Sequence, residues 1–325
     1  MMMSRAVPLT IVVAIFLLNL TGQCHGQLQF GFYKNKCSFD VESIVRNVVQ
    51  IKYFNDTTLV AALLRMQFHD CFVHGCDASL LLDGDNSEKT APPNLTVRGF
   101  EVIDAIKAAV EFFCPGIVSC ADIIAIATRE AVFLAKGGWY NVETGRRDGF
   151  ISKAADVDLP APNITVSDSI AAFAKRNLDA TDMVYLLGGH TVGIAHCFLF
   201  QDRLYNYKNT NQPDPNMDLV LLNMLRDKCP QNSDGSNTTF LDQNPSSSFI
   251  VDSSYYQQLQ QKKGILQIDQ DLASDPNTKS TVENIGNGNS FSFNFGLAMI
   301  KLGAVDVLTV DQGEIRRSCR SVNKP

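Results

Sequence analysis

The sequence predicts an all-α fold, and three observations support that prediction. Apolar residues recur at helical intervals in ten separate segments. Clusters of proline and glycine separate these segments, and neither a repeat nor a shift in composition divides the chain. With 325 residues, of which 45% are hydrophobic, the chain is long enough to bury a sizeable core. We therefore expect one all-α domain, divided into two helical lobes around a cleft.

The apolar stripes define the predicted helices. Val41, Ile44 and Val48 lie on one face of the first helix. The fourth helix is nearly all apolar, so we expect it to be buried at the centre of the domain. In chain order, the predicted helices span residues 41–53, 57–72, 102–113, 121–135, 167–177, 181–187, 216–228, 254–262, 278–285 and 290–302.

Hydroxyl side chains precede three of these segments and suggest their N-caps. Thr57 or Thr58 can cap the second helix, and Ser167 and Thr181 can cap the fifth and sixth. The polar segment 231–248 lacks an apolar period and is expected to form an exposed loop.

The first 26 residues have the pattern of a secretory signal peptide. Arg5 supplies the positive start, residues 6–20 form an apolar core, and Gly26 is a small residue before the expected cut. A membrane anchor is the alternative, but an apolar run of about 15 residues is shorter than the ~20 that span a bilayer. We expect a protein secreted to the extracellular space or cell wall.

The cysteines agree with an oxidising compartment. Nine cysteines less Cys24 of the leader leave an even number in the mature domain, 27–325, which suggests four disulfides of undetermined connectivity. A thiolate metal cluster is the alternative, but no CxxC pair is present. Candidate sites of N-glycosylation lie at Asn55, Asn94, Asn163 and Asn237.

The charge balance gives no sign of a polyanionic partner. The net charge is −6 and no dense basic run occurs, so nucleic acid is not expected. No segment after the leader is long and apolar enough to span a membrane, so no membrane partner is expected. We also expect the protein to be a monomer.

Two histidines carry the chemistry. Arg65 and His69 are four residues apart, so their side chains project from the same helix face one turn apart. A cation beside an imidazole that takes and returns a proton suits heterolysis of a polar bond. His190 lies far downstream at another helix end, and two such histidines suit the two sides of a haem iron.

Three motifs in order make the chain resemble the class III (secretory plant-type) haem peroxidases over residues 27–323. They are the sequences RMQFHDCFVHGCDAS at 65–79, LGGHTVG at 187–193 and GEIRRSC at 313–319. The resemblance implies a plant-type haem peroxidase fold, in which two helical lobes enclose one haem b. It further implies an oxidoreductase that reduces hydrogen peroxide to water and oxidises phenolic donors by one-electron steps. Such an enzyme would take part in the response to oxidative stress.

The resemblance assigns roles on the peroxide side of the haem. His69 would be the catalytic base, and Asn94 would hydrogen-bond its imidazole, with Glu88 at the acidic end of that network. Arg65 would stabilise the negative charge that grows as the O–O bond breaks. Phe68 would wall the haem pocket and exclude bulky donors from the iron.

On the opposite side, His190 would be the iron ligand, and Asp269 would accept a hydrogen bond from its other ring nitrogen. Pro160 would lie near the exposed haem edge, where phenolic donors bind. Thr58 stands where some members have an arginine near a haem propionate. Gln67 replaces a frequent histidine, but its side chain should face away from Arg65 and His69.

Two calcium ions are also implied. Their expected ligands are oxygen atoms. In the proximal set, Asp242 and Asp252 stand two residues further apart than in the usual pattern, so that Asn244 or Ser246 could substitute as a ligand. The distal set is Asp70, Val73, Gly75, Asp77 and Ser79, with Glu88 in its network, and the proximal set is Thr191, Asp242, Ser247, Ile250 and Asp252.

The resemblance implies a disulfide connectivity that spacing alone leaves open. The expected pairs are Cys37–Cys114, Cys71–Cys76, Cys120–Cys319 and Cys197–Cys229.

Two alternatives to the enzyme remain open from the sequence. One is a haem-bearing wall or scaffold protein with little turnover, and the other is a calcium-binding, disulfide-stapled extracellular module without haem.

Overall fold

A computed structural model of the protein describes residues 28–232 and 236–324, so the predicted leader lies outside the described residues. The described part contains twelve α-helices, which confirms the predicted fold class. No helix in that part is long and apolar enough to cross a membrane. The helices are α1 Val41–Asn55, α2 Leu59–Cys71, α3 Phe100–Phe113, α4 Cys120–Leu134, α5 Val166–Ala174, α6 Ala180–Leu187, α7 Gln201–Tyr205, α8 Leu219–Lys228, α9 Ser254–Gln260, α10 Gln267–Leu272, α11 Lys279–Asn287 and α12 Phe291–Gly303.

The first lobe is built around α4. Helices α1, α2 and α3 all contact α4, which is buried from Cys120 to Val132 as its apolar sequence predicted. Buried carboxylates need partners, and Asp122 at its start accepts hydrogen bonds from the Tyr33 hydroxyl at 2.6 Å and from Arg146 at 2.7 Å. These bonds join the central helix to the turn that contains Tyr33 and to the loop that contains Arg146.

The second lobe contains α5, α6 and α9 to α12. Helix α6 contacts α5, α11 and α12, and α9 contacts α10 and α11. The N-cap residues of α5 and α6 differ from the predicted ones. The side chains of Thr165 and Asp179 accept the capping hydrogen bonds from Asp168 N and Asp182 N, because the N-cap residue precedes the first helical turn and its oxygen reaches the third N–H. Ser167 and Thr181 lie inside their helices, so those two predicted caps are wrong.

Thr58 occupies the N-cap position of α2 but makes no capping bond. Its hydroxyl is hydrogen-bonded to the carboxylate of Asp56 instead. The second helix therefore begins without the side-chain cap that the sequence suggested.

The lobes meet at α2. This helix contacts α4 of the first lobe, and it also contacts α12 and the short 3₁₀ segment Gly188–Thr191 that follows α6. His69 is in the last turn of α2 and His190 is in the 3₁₀ segment. The connectivity thus brings the two histidines, far apart in sequence, to the junction of the lobes.

Two small antiparallel sheets interrupt the helical pattern. Gln29–Phe30 (β1) pairs with Glu143–Thr144 (β2), and Ile194–His196 (β3) pairs with Thr238–Phe240 (β4). Strands of two or three residues are too short for an alternating pattern to appear in the sequence.

The expectation of an exposed loop over residues 231–248 is wrong for its second half. That part contains β4, and Thr239, Asp242, Ser247 and Ser248 are buried. A buried segment whose polar side chains hydrogen-bond to one another can have the same amino-acid composition as an exposed loop, so composition does not distinguish the two.

The four disulfides have the expected pairing. Cys71–Cys76 closes the loop after α2, and Cys120–Cys319 fastens the C-terminal segment to the start of α4. Cys37–Cys114 and Cys197–Cys229 complete the set.

Candidate active site

His69 is held in one tautomer by the hydrogen bonds at both of its nitrogens. The amide nitrogen of Asn94 donates to the Glu88 main-chain oxygen at 2.8 Å, which leaves its Oδ1, 2.5 Å away, to accept from His69 Nδ1. On the other side, Arg65 Nε donates to His69 Nε2 at 3.2 Å. The proton is therefore on Nδ1, and Nε2 has the lone pair that accepts from Arg65. His69 and Asn94 are both buried.

The surroundings also keep His69 neutral. Burial, together with the charge of Arg65, lowers the pKa of His69 to about 4, against the opposite effect of the Asn94 hydrogen bond. A neutral imidazole with its lone pair on Nε2 is the form that can accept a proton at neutral pH.

Arg65 is fixed by neighbours that the motif does not contain. Its two terminal nitrogens donate to the Thr96 hydroxyl at 2.9 Å and to the Pro93 carbonyl oxygen at 2.8 Å. Pro93 and Thr96 were not predicted as site residues. Their proximity to Asn94 in the sequence is a signal for them, but a main-chain acceptor has no side-chain signature. Phe68, half-buried, packs against Phe72 with ring centroids 4.4 Å apart.

His190 is oriented by Asp269 on α10. Its Nδ1 lies 2.9 Å from Asp269 Oδ1, and the aspartate is buried while the imidazole is 32% exposed. Because a carboxylate only accepts, the proton is on Nδ1 and Nε2 is left free. Burial lowers the pKa of His190, but the charge of Asp269 and its hydrogen bond outweigh burial and raise the pKa above its usual value.

Two further contacts fix the helix that bears Asp269. Ile268 N donates to the Pro162 oxygen at 3.1 Å. Arg203, fully buried and paired with Asp214 at 2.9 Å, donates to the carbonyl oxygens of Gly264 and Ile265 just before α10. Sequence reasoning had no signal for this pair, because its members are not part of any motif.

The two histidines share one electrostatic environment. The charge of Arg65 helps to lower the pKa of His69, and it opposes the rise in the pKa of His190 that Asp269 causes. Together the described residues offer a neutral base and a cation on one side and an imidazole with a free Nε2 on the other. A carboxylate–imidazole pair is the donor set that metal-bound histidines use, so these residues fit a haem iron.

The expected distal calcium ligands cluster in the last turn of α2 and in the loop that follows it. Asp70 accepts from Ala78 N at 3.0 Å, and Asp77 accepts from Ser79 N at 2.9 Å. The Ser79 hydroxyl and both carboxylate oxygens of Glu88 are buried without a hydrogen-bond partner among the described residues.

Electrostatics support a cation there. Burial, with the charges of Asp77 and Glu88, raises the pKa of Asp70 well above its usual value. Burial likewise raises the pKa of Glu88 to about 8. Within 28–232 and 236–324, no three or more His, Cys, Asp or Glu side chains group as a metal site; a calcium cage here would use two carboxylates, a hydroxyl and carbonyl oxygens such as those of Val73 and Gly75.

The expected proximal ligands also come together. Thr191 donates to the Ile250 oxygen at 3.3 Å and lies 3.5 Å from Asp252 Oδ1. The Ser247 hydroxyl donates to Asp242 at 2.5 Å. Burial raises the pKa of Asp252, and the charge of Asp242 adds to that rise.

The two-residue departure in spacing does not remove Asp242 from this cluster. The Ser246 hydroxyl donates to Asn244 Oδ1 at 2.7 Å in an exposed position. The Asn244 amide nitrogen donates to Ser254 Oγ at 3.2 Å. Among Asp242, Asn244 and Ser246, Asp242 has a buried carboxylate, so it is the better candidate ligand.

The remaining expectations concern the edges of the site. Pro160 is half-buried, two residues before the Pro162 that contacts α10. Gln67 is buried and lines a small cavity with Arg146 and Gly303, which is consistent with the prediction that it faces away. Near Thr58, a guanidinium is supplied by Arg98, which donates to the Thr58 hydroxyl.

Comparisons with known proteins show what the sequence is similar to. The sequence model described as "Peroxidase" matches residues 45–288. Peroxidase 60 of Arabidopsis thaliana is 51% identical over 319 residues, which cover 97% of this chain and 96% of the relative. Peroxidase 57 of Arabidopsis thaliana is 50% identical over 298 residues, 91% and 93% of the two chains. Peroxidase N1 of Nicotiana tabacum is 40% identical over 318 residues, 96% of each.

Proposed function

This chain belongs to the peroxidase family and is an enzyme that reduces hydrogen peroxide, and we propose that it does so with a haem b bound through His190 and with His69 as the proton-transfer residue. The observation that carries this proposal is the hydrogen-bond chain from the Glu88 main-chain oxygen through Asn94 and His69 to Arg65. A scaffold or calcium module has no need of such a chain.

His69 would move one proton between the two oxygens of hydrogen peroxide. Its Nε2 takes the proton from the oxygen that stays and returns it to the oxygen that leaves as water. Asn94 keeps Nδ1 protonated, so the lone pair remains on the nitrogen that works. Proton transfer by a positioned side chain contributes about 10²–10⁴-fold.

Arg65 would supply the charge for the same step. Negative charge grows on the departing oxygen, and a fixed cation stabilises it without reorganisation. The bonds to Pro93 and Thr96 hold the guanidinium beside His69 before the substrate arrives.

His190 would hold the iron through Nε2, and the carboxylate of Asp269 would increase the electron-donating power of the imidazole. When bound, haem supplies the electrons that reduce the peroxide. We propose that small phenolic donors approach at the edge where Pro160 lies half-buried, and that they restore the resting enzyme by one-electron steps.

Calcium and secretion complete the proposal. Buried oxygen donors at Asp70, Asp77 and Ser79 and at Thr191 and Asp242 support two calcium ions. The leader-like sequence at 1–26 and four disulfides support passage through an oxidising, secretory route to the extracellular space or cell wall.

The test compares His69→Ala with His74→Gln in haem-loaded protein. His74 is five residues away, partly exposed, and paired with Asp156 at 3.0 Å. His69→Ala should slow oxidation of a small phenol by peroxide by about 10²–10⁴-fold, whereas His74→Gln should retain activity. Equal activities of the two variants, at equal haem content, would contradict the proposed role.

A further inference from the structure

A surface cleft of about 610 Å³ lies between the turn 161–163 and the segment 197–206. Its lining includes Asn163, Phe198, Tyr205, Gln201 and Gln231. Asp202 is the charged residue among the described lining residues, so the cleft is mostly neutral, with amide groups and aromatic rings. Its lining includes Pro162, two residues after Pro160, and none of the residues assigned above to proton transfer or iron binding.

One of the four glycosylation sequons within residues 27–325 lies in the lining of this cleft. Asn163-Ile164-Thr165 is a sequon, and Asn163 is exposed in a turn. Its side-chain nitrogen makes no hydrogen bond to any residue of the described ranges, so a glycan attached there breaks no hydrogen bond of the fold.

The other sequon asparagines have engaged amide nitrogens. Asn55 donates to the Ile51 oxygen and Asn237 to the Lys228 oxygen. Asn94 is buried and donates to the Glu88 oxygen beside His69, so a glycan there is incompatible with the folded site.

The cleft offers contacts that suit a neutral sugar. Phe198 is 59% exposed and stacks on His196 with ring centroids 5.6 Å apart, so its other face is presented by a supported ring. Gln201 is held by hydrogen bonds from its nitrogen to the Pro230 and Gln231 oxygens, which leaves its side-chain oxygen as an acceptor. An aromatic face with nearby amides matches the C–H face and acetamido group of N-acetylglucosamine.

We propose that Asn163 carries an N-linked glycan whose inner N-acetylglucosamine residues lie in this cleft against Phe198. The proposal depends on the secretory route proposed above, because only that route supplies the glycan. The sugar would connect the 161–163 turn, which contacts α10 through Pro162 and Ile268, with the segment that follows β3.

Occupancy is tested on the full chain secreted from a plant cell, by mass spectrometry of its glycopeptides. A glycan at Asn163 and none at Asn94 is the expected result. Asn163→Gln should remove one glycan, and it is preferable to Thr165→Ala because the Thr165 hydroxyl also caps α5. A bare Asn163 in protein glycosylated at Asn55 or Asn237 overturns this inference while the secretory proposal stands; retention of the leader with no glycan anywhere overturns both.

Docking is tested by the rate at which an endoglycosidase removes the Asn163 glycan. The native protein should be cut more slowly than the denatured protein. Phe198→Ala should make native cleavage roughly three- to tenfold faster, as expected for the loss of one aromatic contact. Phe112→Ala is the matched control, because Phe112 is 82% exposed and is not part of the cleft lining. Equal rates for native wild type and Phe198→Ala, with occupancy unchanged, would overturn the docking.

Discussion

At the scale of single residues, the charge of Arg65 and the burial of His69 set the pH range in which the base works. Burial, then Arg65, lowers the pKa of His69 to about 4. Protonation removes the Nε2 lone pair, so the rate of reaction with peroxide should stay level from pH 7 to about 5 and fall as the pH drops through about 4.

The variant Arg65→Gln separates the two causes. Without the guanidinium charge, the midpoint of the pH profile should move upward, but burial should still keep it below about 6.5, the usual histidine value. Stopped-flow rate constants between pH 3 and 8 measure this shift, with circular dichroism as a check on folding. An unchanged midpoint in Arg65→Gln would show that the charge does not act on His69.

Arg65, His69 and His190 could be predicted because they lie in long motifs, but the exact partners of the site residues could not. Arg65, His69 and Asn94 are recognisable from sequence, whereas the acceptor for the Asn94 amide is the Glu88 main-chain oxygen rather than its carboxylate. Main-chain acceptors such as Pro93 oxygen depend on loop geometry, and no residue pattern specifies them.

At the scale of elements, α6 leads directly into the segment that bears His190, and its N-terminus is closed by a capping box between Asp179 and Asp182. Asp179→Ala should lower the free energy of unfolding by about 0.5–2 kcal/mol. Thr181→Ala, at the position that the sequence suggested as the cap, should change it by less than about 0.5 kcal/mol. Chemical denaturation of both variants decides between the two caps; a larger loss for Thr181→Ala would contradict the observed one.

Helix α10 presents Asp269 to His190, and this contact should control how tightly the iron ligand is held. Asp269→Asn keeps the shape but removes the charge, so haem should leave roughly 10- to 100-fold faster, measured by transfer to excess apomyoglobin. Asp271→Asn is the matched control on the same helix, since its carboxylate contacts Gln267. Equal haem loss from both variants would mean that Asp269 does not support the ligand.

Long amphipathic helices could be predicted from sequence, but short elements could not. The periodic segments of α1 to α4 match the structure to within a few residues at each end. Helices α7 and α10 span five and six residues, less than two turns, which is too short for a 3.6-residue period to emerge. Their positions are set by tertiary contacts such as the Arg203–Asp214 pair.

At the scale of the whole molecule, the proposed calcium ions should stabilise both lobes. Chelation with EGTA should lower the unfolding temperature, and added calcium should restore it; at a free calcium concentration of 1,000 times Kd, one site contributes about 4 kcal/mol. Asp242→Asn should reduce the bound calcium from two ions to one, while Ser246→Ala should leave two. Metal analysis after dialysis measures the number of calcium ions bound per chain. Loss of calcium in Ser246→Ala, but not in Asp242→Asn, would mean that Ser246 is the ligand in place of Asp242.

The arrangement of the whole chain was predictable only through resemblance. Cysteine spacing left the connectivity open, and the family pattern supplied the pairs that the structure contains. The junction of the lobes depends on how α2 packs against the 188–191 segment and α12, which periodicity within single helices cannot reveal.

The most direct test of the account is the Soret absorption band of the secreted, calcium-loaded protein before and after one equivalent of hydrogen peroxide. We expect a haem band that changes within milliseconds in the wild type, returns when a phenol is added, and responds far more slowly in His69→Ala. A haem band that ignores peroxide in the wild type would contradict the assignment of Arg65 and His69, and the absence of any haem band would contradict the role of His190.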